Sequence, residues 1–128
     1  MTTPAYGGDR MIVKRTLPQV KTAASEYAGS DRVNDGSGEY TGSDGEHCMV
    51  GQICADLKMR VPEYGDHENT FTVEHCALMQ QQLTAPAVKW LTDVQETADG
   101  AEHVGGCPPP PWGTVIDQCT AIDQWLPR

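Results

Sequence analysis

At 128 residues the chain can build one hydrophobic core but not two, and with 38% hydrophobic and 6% aromatic residues that core is modest. A formal net charge of −9 repels phosphate, so direct nucleic-acid binding is not expected. The acidity reads instead as plain solubility or as attraction of a basic partner. No stretch approaches the roughly 18 apolar residues that span a bilayer, so no membrane role is expected either.

The charge is uneven. Residues 1–21 carry Arg10, Lys14, Arg15 and Lys21 against Asp9, and the remainder carries 17 acids against five bases. The first residues lack a basic start followed by an apolar run, which argues against a secretory signal and for a cytoplasmic protein with reduced cysteines. Five cysteines, an odd number, also fit a complete disulfide framework poorly. Stability on the order of 5–10 kcal/mol is expected.

Residues 1–9, polar and containing Pro4, Gly7 and Gly8, read as a flexible tail, with one helical domain over 10–128. RMIVKR is either a short extended piece or a helix lead-in. Thr16 then predicts an N-cap with Pro18 in the first turn, Leu17, Val20, Ala24 and Tyr27 recur at the helical period, and Gly29 can close the helix. Residues 30–46 form a polar loop. Within it Asn34-Asp35-Gly36 is a turn signal, and Val33 and Tyr40 mark either the strands of a small hairpin or points on a flexible segment.

Met49, Val50, Ile53, Cys54 and Leu57 form one helical stripe, ended by Pro62. Gly51 inside it costs roughly 1 kcal/mol relative to Ala, which makes sense if another element passes too close for a Cβ. After a second polar loop near 62–70, Thr70 or Thr72 caps a short helix with Val73, Cys76, Ala77 and Leu83 inward. Thr84 caps the clearest helix, with Pro86 in its first turn, Ala87, Trp90, Leu91, Val94 and Ala98 on its apolar face and Gly100 as its stop. A third loop, 100–111, ends in the stiff CPPPP run, a connector or a ligand for an aromatic groove. A last helix carries Trp112, Val115, Ile116, Cys119, Ile122 and Leu126 on one face.

The chemistry-bearing candidates are cysteines and histidines. Cys48, Cys54, His75, Cys76, His103 and Cys107 are the residues from which a metal site could be drawn. No C-x2-C or H-x3-H pair is present, however, and adjacent His-Cys side chains on a helix point about 100° apart. Cys54, Cys76 and Cys119 read more simply as small buried hydrophobes. Cys48 at a helix start beside His47 has the position of a nucleophile, without an assignable orienting partner. Asp93 and Glu96 lie on an ordinary solvated helix face, and the DGSGEYTGSDGE stretch lacks the ligand pattern of a calcium loop. No phosphate-binding loop or nucleophile elbow is present.

The C-M-V-G of Cys48–Gly51, opening a helix, resembles the C-L-V-G helix start of small actinobacterial and actinobacteriophage proteins. In those proteins a later helix of the form W-L-x-x-V-Q, then D-x-G, runs into P-W-G. Here these elements are Trp90-Leu91 with Val94-Gln95, then Asp99-Gly100, then Pro111-Trp112-Gly113, with an AEHVGGCPPP insertion in what is usually a short turn. The resemblance covers about residues 47–118. It implies a small, mostly helical cytoplasmic protein and transfers no catalytic residue and no cofactor.

The sequence thus predicts a mainly α, single small domain of four or five short helices packed around Ile53, Trp90, Val94, Trp112 and Ile116, with a small hairpin near 33–41 as an option. The leading functional expectation is a non-enzymatic protein-interaction factor, phage-encoded on the resemblance, acting on a host or phage protein; an acidic mimic of DNA is one version. The alternative is a metal- or thiol-dependent protein using the Cys and His residues above.

Overall fold

A computed structural model gives the structure of residues 13–34, 39–99 and 109–125, the last six of these as helical backbone alone. The proposed tail, His103, Cys107, the Gly100 stop and Leu126 lie outside the described residues. The described chain is mainly helical: α1 (Leu17–Ala24), α2 (Met49–Asp56), the single turn α3 (Ala77–Gln80), α4 (Ala85–Ala98) and α5 (Trp112–Trp125). No helix among the described residues is long and apolar enough to cross a membrane.

Of the expected caps, the one at Thr16 forms with its side-chain bonds, while Thr72 and Thr84 take N-cap positions without them. Thr16 and Gln19 make a reciprocal capping box at α1. Thr84 occupies the N-cap position of α4, with Pro86 in the first turn, although its hydroxyl makes no capping bond. The α4 stripe of Ala87, Trp90, Leu91, Val94 and Ala98 is buried, as are Ile53, Trp112, Val115, Ile116 and Cys119.

Three expectations need correction. Pro62 does not end α2: the helix stops at Asp56, and Lys58 adopts the left-handed conformation (φ 64°). Lys58 N donates to Ala55 O and Met59 N to Cys54 O, which closes the helix as a Schellman turn, and Arg15 adds a cation on Leu57 O. The stretch after Phe71 is not one helix but a 3-10 turn (Val73–His75) followed by α3. Ala77 is exposed there, and Met79 takes the core position. The hairpin at 33–41 is absent among the described residues, which contain isolated bridges (Arg15 with Leu83, Thr41 with His47) and no strand. Val33 is exposed, while Tyr40 is completely buried rather than lying on a sheet edge.

Asn34 adds a role that no local pattern announced. Part of a turn signal by sequence, it is only 5% exposed and holds three elements together. Its Oδ1 accepts from Met49 N (2.9 Å) at the start of α2 and from Trp112 Nε1 (3.0 Å) on α5, while Nδ2 donates to Asp99 Oδ1 (2.9 Å) at the end of α4.

Other buried amides do similar work on irregular backbone. Asn69 pairs with both the N–H and the C=O of Thr41 (3.0 and 2.9 Å). Gln82 does the same to Arg60 (2.8 and 2.9 Å), and Gln95 accepts from Val73 N (2.9 Å). With no sheet ladder to pair these loop groups, side-chain amides satisfy them. At α5 the orphan N–H groups of Trp112 and Gly113 donate to the carbonyls of Arg32 and Ser30.

Candidate functional site

Gly51, expected to permit a close approach, does so, and Gly113 permits a second one against a different partner. A Cβ on Gly51 would lie 2.6 Å from Tyr40 O, and one on Gly113 would lie 2.7 Å from Gly29 N. The visitor at α2 is therefore a loop carrying Tyr40, and α5 starts against Gly29 and Ser30 in the turn that follows α1. Trp112 is buried there. Its ring meets Tyr27 edge-on at 5.2 Å and lies 4.0 Å from the Arg32 guanidinium.

Tyr40 projects into the core, where burial above all, with the nearby thiols of Cys76, Cys48 and Cys54 adding to it, disfavours its ionisation. Its hydroxyl has no hydrogen-bond partner. Gln95 is near it, but not in bonding geometry. Among the described residues, this is where several candidate residues come together.

Burial, with the neighbouring thiols adding to it, pushes the Cys54 thiol far above its ordinary range. Burial likewise raises Cys76 to about 11, helped by its bond to Glu68 Oε1 (3.2 Å). Cys119 is raised by burial too. Nucleophiles and metal ligands need thiolates, and these environments favour thiols.

The histidines do not join the thiols. In the His75-Cys76 pair the imidazole is exposed and bonded to Thr72 Oγ1 (2.8 Å), while the sulfur points inward. His47 Nδ1 lies 3.1 Å from Thr41 Oγ1 and 3.4 Å from Tyr40 O. The Thr41 hydroxyl proton is committed to Pro62 O (2.9 Å), so Nδ1 is the donor and the neutral ring carries its proton there. Among the described residues no three His, Cys, Asp or Glu side chains are placed to hold a metal ion. Cys48, half-buried, is the N-cap of α2, its Sγ accepting from Gly51 N at 3.4 Å.

His47 sits between two surface clefts. One, of about 240 Å³, is lined by Arg32, Glu39, Asp44, Glu46 and Cys48. The other, of about 370 Å³, runs over Met59, Val61 and Leu78 beside Glu63 and Asp66. A third groove, of about 580 Å³, lies between α1 and the end of α2. Acids outnumber bases in the walls of both clefts beside His47, with Arg32 in the first and Arg60 in the second.

Sequence reasoning missed Asn34, Asn69, Gln82 and Gln95, because a buried amide carries no periodic signal. Tyr40 had one usable signal, a lone aromatic in a glycine-rich polar stretch. No protein-family model, curated protein or solved structure matches the chain.

Proposed function

We propose that this chain works by binding a basic protein partner rather than by catalysis. The observation that carries the reading is the division of its residues. The Cys54 and Cys76 thiols are turned inward and held in their unreactive forms, while the exterior presents Glu26, Asp31, Asp44, Glu46, Asp56, Glu63, Asp66, Glu74, Glu96 and Asp117. The buried polar amides are spent on loop backbone, which leaves them no substrate to position. Charge complementarity of this kind steers encounter and selects partners.

The resemblance to actinobacterial and actinobacteriophage proteins supports a host or phage protein as the target, in the cytoplasm. Immobilised chain exposed to an actinobacterial lysate should retain a basic protein at low salt and release it at high salt. Retention of nothing above background would remove the proposal.

A second reading has one observation behind it: Cys48 places a partly accessible sulfur at the start of α2, with Gly51 N–H on it. A thiol-dependent protein would show Cys48 alkylated by iodoacetamide many times faster than a free thiol at neutral pH. An ordinary rate dismisses it.

A further inference from the structure

The segment from Arg60 to Asp66 is fixed more firmly than a surface loop requires. Gln82 holds both backbone groups of Arg60, and Thr41 Oγ1 holds Pro62 O. Asp66 N donates to Glu63 O (2.9 Å), and Asp66 Oδ2 accepts from Glu63 N (2.8 Å), closing a four-residue turn from both sides. Gly65 takes the third position with φ 95°, the left-handed conformation a type II turn needs there.

The residue this clamped turn displays is Tyr64, 58% exposed. Its turn neighbours Glu63 and Asp66 line the cleft that runs over Met59, Val61 and Leu78. The ion pair found among the described residues joins Arg32 to Glu46; Glu63 and Asp66 meet no cation, although Arg60 shares the cleft wall with them.

A rigidly displayed aromatic loses little conformational freedom on binding, and tyrosine is enriched among the residues that dominate interfaces. Two carboxylates flanking it in a chain of net charge −9 select a cation as its neighbour. Of the two basic side chains, arginine is the one whose flat guanidinium both stacks on a ring and accommodates carboxylates.

We propose that the Glu63–Asp66 turn and its adjoining cleft dock a basic segment of a partner protein, an arginine lying on Tyr64 between the two acids and a neighbouring apolar side chain entering over Met59 and Leu78. The proposal rests on the reading of the chain as a binder of a basic protein, and names where and how that binding occurs.

The test uses the full chain, labelled with nitrogen-15, and a blocked heptapeptide containing two Arg-Leu pairs separated by glycine. Shifts should centre on residues 59–66 and Leu78, and an otherwise identical peptide with glutamate for arginine should produce none. Tyr64→Ala, at an exposed position that leaves the fold intact, should weaken binding about tenfold or more. The pair Glu63→Gln with Asp66→Asn should weaken it similarly, since asparagine can still accept from Glu63 N. Asp93→Asn, on α4 and outside the proposed docking surface, should leave it unchanged.

Shifts spread evenly over the acidic exterior, or full affinity in Tyr64→Ala, would overturn the docking site while leaving the broader reading in place. Absence of peptide binding together with an empty lysate capture would remove both.

Discussion

Replacing Asn34 by alanine tests whether one buried amide organises this fold. The substitution leaves two buried donors, Met49 N–H and Trp112 Nε1–H, without their acceptor and removes the bond to Asp99. A stranded buried donor costs roughly 1–3 kcal/mol, and an ordinary hydrogen bond contributes about 1 kcal/mol. Because Asp99 is partly exposed and water can replace that bond, a loss of about 3–5 kcal/mol is expected, a large share of the stability of a domain this size. Urea unfolding followed by circular dichroism should show a lower midpoint at unchanged slope, with the thermal midpoint down by roughly 10–20 °C.

Asn34→Asp sharpens the test. It keeps the Oδ1 acceptor but sets a second carboxylate against Asp99, which raises the folded pKa of the new group. Stability is then lost as pH rises through the carboxylate range, so this variant should approach the wild type in acid and diverge from it at neutral pH. A loss below about 1 kcal/mol for Asn34→Ala would refute the reasoning.

Gly51→Ala and Gly113→Ala should each destabilise by about 1–3 kcal/mol despite the better helix propensity of alanine, because the new Cβ meets backbone that cannot swing away; a raised thermal midpoint for either would contradict this. Lys58→Gly should stabilise by about 0.5–1 kcal/mol by relieving the left-handed conformation at the end of α2, and an unchanged urea midpoint would argue against the Schellman closure. Cys76 is raised to about 11 and Cys54 beyond it, so the stability these thiols confer is whole below pH 9, their ordinary value, and is lost as pH climbs toward 11. A urea midpoint that stays flat over that interval would show the thiols to be solvated.

The helices were legible because each is announced locally. Thr16 with Gln19, Thr84 with Pro86 and the stripes of α2 and α4 are short-range patterns, and the inward faces follow from the 3.6-residue period. The close approach at Gly51 was legible as well, since glycine inside a helix calls for a steric reason, but the identity of the approaching group was not. Local pattern also misjudged the end of α2, where Lys58 closes the helix in a conformation that its side chain disfavours. Of the candidate site, the inert character of Cys54 and Cys76 could be guessed from residue type, while their convergence on Tyr40 could not.

Composition, caps and periodicity determined that this chain would be a small acidic helical domain, because those signals act over a few residues and need no knowledge of the fold. Tertiary structure alone decided that Asn34 joins α2, α4 and α5, that Tyr40 fills the core beside three thiols, and that Tyr64 stands outside on a clamped turn. The physical reason is that a hydrogen bond between residues 34 and 112 depends on where two distant backbones meet, and no pattern within either segment carries that information.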